Sequence, residues 1–205
     1  MKNIIVLIIC LQFHLLSFAQ IFSDINEVTP FQGDITAVKK GNQWGFINNK
    51  GVLVIDFRSD FVLTKQVNNK GTTTLYPVFK DERCLIKKLI GDTYFYGYIN
   101  KSGKEIIDPI YLNATNFENG YAIVIVPSTN IIGYNKILKK DIISTKIEAF
   151  IINTSGQKVM YLENPRYDTS PKTKPKTPPT IYSKFIAPNL IAVKKKDLKW
   201  DIYEF

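Results

Sequence analysis

Trp44-Gly45-Phe46-Ile47-Asn48-Asn49-Lys50-Gly51 reads as a strand running into a turn, and it decides the fold because it recurs. Asn48 puts a short side-chain acceptor at the first corner of a type I turn, and Gly51 at the fourth takes positive φ without a Cβ penalty. The strand returns as Val52-Leu53-Val54-Ile55. Tyr96-Gly97-Tyr98-Ile99-Asn100-Lys101-Ser102-Gly103 repeats the pattern, and Ala149-Phe150-Ile151-Ile152-Asn153-Thr154-Ser155-Gly156 repeats it more weakly. Each has its own returning apolar pair, Ile106-Ile107 and Val159-Met160.

Upstream of the first copy, Phe31 to Lys40 reads as a strand, and Gly41-Asn42 supplies a tight turn into Trp44. A unit is therefore about three strands. Trp44, Tyr96, Ala149 and Trp200 follow one another at intervals of about fifty residues. Ile191-Ala192-Val193-Lys194, a near copy of Ala37-Val38-Lys39-Lys40, leads into Trp200, so the fourth unit is half a repeat that closes the array. A second feature returns with the units: an aromatic, a small residue five places on, and a β-branched residue two places later. Phe117, Ala122 and Val124 fit it, as do Phe79, Cys84 and Ile86, which gives Cys84 a packing role rather than a reactive one. Glycine inside a strand weakens it unless space is needed, so Gly45 and Gly97 predict a ring or backbone lying over each. Trp44 and Tyr96 then pack unit against unit.

Between the motifs the signals vary. Asn68-Asn69-Lys70-Gly71 marks a turn that carries an extra hairpin before Leu75. Gly120 to Val126 is apolar on both faces and predicts a covered central strand. Pro127 to Thr145 reads as an irregular excursion with Lys139-Lys140-Asp141 at the surface, and the proline- and lysine-rich residues 164–180 read as an extended, mobile loop.

Composition agrees with a globular β protein: 45% apolar, 22% charged, with 13 phenylalanines and 11 tyrosines. Lys2, the apolar run Ile4 to Leu16 and Ser17-Phe18-Ala19 form a secretory signal over residues 1–19, cleaved before Gln20. Cleavage removes Lys2, Cys10 and His14, leaving residues 20–205 as a single β-repeat domain of about three and a half units, with Cys84 as its one thiol and no imidazole. One thiol makes no internal disulfide, so stability in an oxidising compartment must come from packing. The formal charge of the whole chain is +9, and removal of Lys2 lowers it by one. A basic exported protein favours envelope proteins or anionic surface glycans and lipids over nucleic acid.

Trp44-Gly45 and Tyr96-Gly97, each followed by an aromatic, Ile, Asn and a glycine three places on, resemble the tryptophan-glycine (WG) repeat family. At the level of unit length the resemblance spans residues 31–205. The third unit has Ala149-Phe150 in place of the pair, and the fourth keeps Trp200 but has Asp201 where glycine stands elsewhere. The resemblance implies an all-β repeat module found in bacterial proteins, often exported, with no general catalytic site and no agreed ligand.

Chemistry is sparse. The sequence has no Gly-x-Ser-x-Gly elbow, phosphate loop, zinc-spaced Cys/His set or calcium loop, so no catalytic, cofactor or metal residues are assigned and the chain is read as a non-enzyme. Asp56 and Asp108 hold matched positions after the third strands and read as turn-capping groups, with a glycosidase-like pair as the alternative. The structural motif residues are Trp44, Gly45, Asn48, Gly51, Tyr96, Gly97, Asn100, Gly103, Asn153, Gly156 and Trp200. The expectation is an all-β chain of antiparallel three-strand repeats stacked as a short array, with an incomplete propeller or barrel as alternatives. Its expected role is binding or scaffolding in the periplasm, at the outer surface or after secretion. A carbohydrate-directed enzyme or accessory module is the second reading, and a structural subunit of an envelope assembly the third.

Overall fold

The computed structural model describes residues 20–67, 71–163 and 177–205, and every regular element among them is a β-strand in antiparallel pairing. The expected signal at residues 1–19 lies outside the described residues, as does most of the expected loop at 164–180. The first sheet comprises β1 (Glu27–Val28), β2 (Ile35–Lys40), β3 (Gln43–Asn48) and β4 (Leu53–Arg58), paired in that order. A separate hairpin, β5 (Thr64–Val67) and β6 (Thr73–Tyr76), follows where the turn signal at Asn68 to Gly71 placed it. The second sheet repeats the first as β7 (Phe79–Lys80), β8 (Arg83–Ile90), β9 (Thr93–Ile99) and β10 (Glu105–Tyr111). The third is β11 (Asn113–Ala114), β12 (Tyr121–Asn135), β13 (Lys140–Asn153) and β14 (Lys158–Leu162); the fourth is β15 (Ser183–Ala187), β16 (Leu190–Lys194) and β17 (Trp200–Glu204).

Each of the first three units thus adds one leading strand to the three that were expected, and the half unit at the end places β15 before its two. That strand is two residues long in the first three sheets, too short to leave a periodic trace in the sequence. Gly33, at φ +70°, turns the chain before Ile35, so β2 starts later than the expected Phe31. The larger correction concerns Pro127 to Thr145. These residues are no irregular excursion: β12 and β13 run on as a paired ribbon past the sheet, Pro127 opposite Ile147, with one register shift beside Gly133. Asn135 Oδ1 accepts from the amides of Ile137 and Leu138 and closes the tip.

Successive sheets stack face to face. Period-2 alternation sends Cys84, Ile86 and Ile99 of the second sheet into a core with Ala37, Trp44, Phe46 and Ile55 of the first. Leu85, Tyr96, Tyr98 and Ile107, from the opposite face, meet Phe117, Ala122, Val124 and Ile152 of the third. Ile123, Ile125 and Ile151 of the third then meet Ile191 and Val193 of the fourth. Inner strands covered on both faces explain the unbroken apolar runs Cys84-Leu85-Ile86 and Ala122 to Ile125. Among the described residues no core cluster joins the first sheet to the fourth, so the sheets form the stacked array expected from the repeats.

Candidate interaction surfaces

Of the predicted motif residues, Trp44, Tyr96, Gly103 and Gly156 lie at joints between sheets, whereas Gly45 and Gly97 pack within their own sheets and Trp200 is partly exposed. Asn48 Oδ1 accepts from the amides of Lys50 and Val52, and Gly51 N–H donates to the Asn48 carbonyl at 2.9 Å. Asn100 and Asn153 repeat the turn, with Gly103 and Gly156 at φ +79° and +80°. Those glycines also form contacts. A Cβ on Gly103 would touch Ile55 of the preceding sheet, and one on Gly156 would touch Ile107 in the same slot. Gly51 has no preceding sheet among the described residues, and Ile21 from the lead-in occupies the corresponding position.

A second joint is aromatic. Phe79 stands edge-on to Phe46 with ring centroids 5.0 Å apart, and Phe117 meets Tyr98 at 4.7 Å. In both cases the leading segment of one unit caps the middle strand of the unit before it. Tyr98 is wholly buried, its hydroxyl donates to the Thr115 carbonyl at 2.6 Å, and burial pushes its ionisation well above the ordinary phenol range.

Trp44 is 4% exposed and Tyr96 9%, each turned toward the following sheet; Ala149 fills the same slot in the third unit. Trp200 occupies it in the fourth, where no sheet follows among the described residues, and is 43% exposed. The glycine after the aromatic has a local cause. Between the positions opposite Trp44 and Phe46, β4 carries one residue more than β3, and β10 bulges further opposite Tyr96 and Tyr98. The bulge drops its backbone onto the glycine: a Cβ on Gly45 would lie 3.0 Å from the Ile55 carbonyl oxygen, and one on Gly97 would lie 2.5 Å from that of Ile107. In the third unit β14 runs in regular register past Ala149, Phe150 and Ile151, leaving room for Phe150 to pack with Tyr161 and Lys158. Asp201 has no third strand over it among the described residues.

Asp56 and Asp108 lie inside β4 and β10, at the bulges, with exposed side chains. The expected capping of turns after those strands is therefore corrected to a place within them. Cys84 shares its slot with Ala122 and is fully buried, and desolvation drives its thiol pKa far upward, with Arg58 opposing and Asp60 adding to the shift. A thiol held neutral and covered is no nucleophile. Among the described residues no group of three His, Cys, Asp or Glu is placed to hold a metal ion.

Two surface features were not singled out from the sequence. One is a cleft of about 390 Å³ between the first two sheets, lined by Gln32, Lys80, Asp81, Glu82 and Lys101 among others. Lys101 reaches across that joint to Asp34 at 2.8 Å while pairing with Glu82 of its own sheet at 2.9 Å, and its hydrogen bond holds the Asp34 carboxyl below the usual range. The other is the outer half of the β12–β13 ribbon, where Ile131, Ile132, Tyr134, Leu138, Ile142 and Ile143 are exposed and Ile137 is 92% exposed at the tip. Lys136, Lys139 and Lys140 surround that tip, also exposed or nearly so. Exposed large apolar side chains on both faces of a ribbon were the available signal, hidden because an uncovered ribbon shows no clean alternation. Asn113 Nδ2 donates to the Pro179 carbonyl at 2.8 Å, which ties the described end of the proline-rich stretch to the third sheet.

Comparison with curated proteins and with solved structures finds no match. A family model described as WG containing repeat matches residues 44–64 and 96–126. These segments begin at the two aromatic-glycine pairs on β3 and β9 whose geometry is set out above, and in these two regions the chain is similar to the WG containing repeat.

Proposed function

We propose that this protein is an exported, non-enzymatic β-repeat module that binds at the bacterial cell envelope, with the β12–β13 ribbon as its contact element. The observation that supports this reading is the composition of that ribbon. Large apolar side chains in water are costly unless a partner covers them, and patches of this kind mark interaction surfaces. Lysines around an apolar tip fit a surface that is anionic outside and apolar beneath, which is the profile of an acidic lipid layer. The stacked sheets hold the ribbon's base, where Ala122 to Ile125 are fully covered, so the arm projects from a rigid support.

Retention of the purified protein on vesicles containing anionic phosphatidylglycerol, on neutral phosphatidylcholine vesicles and on envelope polysaccharide, in low and moderate salt, tests the proposal. Binding to the anionic vesicles that weakens with salt, and is lost in Ile137→Asp and Leu138→Asp, is the expected result. A protein that binds none of these surfaces and turns over a substrate would overturn it. The leader is tested separately, by sequencing the N-terminus of the protein released from cells: cleavage before Gln20 is expected.

A further inference from the structure

Among the described residues the outer edge of β17 is open, and it is built differently from the outer edges of the other stacked sheets. In the first three sheets the middle strand passes its outward amides and carbonyls to a third strand: Trp44 and Phe46 face Arg58 and Ile55, Tyr96 and Tyr98 face Tyr111 and Ile107, Ala149 and Ile151 face Leu162 and Met160. β17 is the middle strand of the fourth unit, and among the described residues no strand pairs beyond it. Lys195 N–H bonds to the Lys199 carbonyl and Phe205 N–H to that of Asn189, which sets the antiparallel ladder. Asp201 and Tyr203 therefore spend their backbone groups on β16, and those of Trp200, Ile202 and Glu204 point outward. These are the equivalents of the residues that find a third strand in every other unit.

The other outer edges of the four stacked sheets are blunted: β4, β10, β14 and β15 are bulged, β10 also carries Pro109, and the leading strands of the first three sheets are two residues long. β17 pairs with β16 over five consecutive residues without a shift and contains no proline, so its edge is straight. Its outward residues also carry an uncovered apolar face, Trp200 at 43% and Ile202 at 63% exposure.

We propose that this edge pairs with the same edge of a second copy of the chain, antiparallel and centred on Ile202. The register is self-complementary. Ile202 of one copy faces Ile202 of the second copy, where the other units place Ile55, Ile107 or Met160 opposite this slot. Trp200 faces Glu204 of the second copy, and every outward amide and carbonyl on both strands gains a partner. Charge agrees with the register: Lys184 lies 4.8 Å and Lys194 5.6 Å from the Trp200 ring, on the face where the second copy's Glu204 arrives. A copy shifted by two residues would lose the Ile202 pair and leave outward groups unpaired at both ends.

Sedimentation equilibrium of the purified protein tests the pairing. A mass that rises with concentration to twice that of a single chain is expected for the natural sequence. Ile202→Pro removes an amide that faces away from β16, so β16–β17 pairing survives and the mass falls to that of one chain. Glu204→Lys sets like charges beside Lys184 and Lys194 and weakens association at least ~10-fold, and adding Lys184→Glu and Lys194→Glu restores it. Glu204→Lys carries the test if Ile202→Pro does not fold, with far-ultraviolet circular dichroism as the check. A single-chain mass at all concentrations overturns the proposal. So does a two-chain mass that neither substitution changes, or a single chain whose β17 edge takes up a peptide of residues 105–111 instead.

Discussion

Gly97 lies directly beneath the Ile107 carbonyl, so close that a Cβ on Gly97 would stand 2.5 Å from the oxygen and 2.7 Å from the Pro109 nitrogen. All of these atoms are backbone and cannot swing aside. Gly97→Ala should therefore push β10 off β9 and cost about 3 kcal/mol. Gly45→Ala meets one carbonyl at 3.0 Å and the side-chain ends of Leu53 and Phe57, which can shift, so about 1 kcal/mol is expected there. Guanidinium denaturation of the two variants measures the difference; equal losses would refute a role for the tighter bulge.

Phe79 and Phe117 each cap the sheet before their own, and Phe31, the matching residue of the first unit, has no earlier sheet to cap among the described residues and is 52% exposed. Phe79→Ala and Phe117→Ala should each cost about 3–5 kcal/mol by opening a cavity between sheets. Phe31→Ala should stay within about 0.5 kcal/mol. The same residue type at the same sequence offset thus gives two outcomes, decided by whether a neighbouring unit precedes it. Denaturation midpoints of the three variants provide the comparison.

What could be read in advance follows from which interactions are local. Asn48 to Gly51 and its two copies close within four residues, so the turns, the three-strand meander and the unit length were visible in the sequence. Cys84 could be matched to Ala122 because both keep one offset from a leading aromatic. The bulges over Gly45 and Gly97 announced themselves only as glycines out of place, since the extra residues lie in a strand whose register depends on its partner. The ribbon was misread for a related reason. Pro127, Gly133 and three lysines look like breakers, yet Pro127 is tolerated opposite Ile147, and the exposed isoleucines carry no inward period because no sheet covers them. Direction of stacking was illegible as well, because β8 reads Cys-Leu-Ile without alternation when both its faces are buried.

Asn100 gathers three donors on one oxygen: the Ser102 amide at 3.0 Å, the Ser102 hydroxyl at 2.7 Å and the Lys104 amide at 3.0 Å. Replacing it with alanine leaves those groups to water at an exposed turn, so Asn100→Ala should cost about 1 kcal/mol. Asn100→Asp keeps the acceptor and should recover most of that loss. Thermal unfolding of both variants decides between an acceptor role and a merely polar one, for which the two would behave alike.

Cys84 is buried between the first and second sheets, and desolvation raises its thiol pKa far above the ordinary value. The folded chain therefore keeps the proton at pH values where the unfolded chain, titrating near ~8.5, has lost it. This contribution to stability is full below the unfolded pKa and declines as pH rises toward the folded one, by up to about 1.4 kcal/mol per pH unit. Cys84→Ala forfeits the sulfur's packing at neutral pH but lacks the alkaline penalty, so its deficit against the natural sequence should shrink between pH 8 and pH 10. Tyr98, also buried and also raised, is present in both proteins and drops out of the difference. A thiol reagent at pH 8 should label Cys84 only as fast as the joint between the sheets opens. Labelling of the native protein at the rate of a free cysteine, or a deficit that does not change with pH, would mean that the two sheets do not seal over this residue.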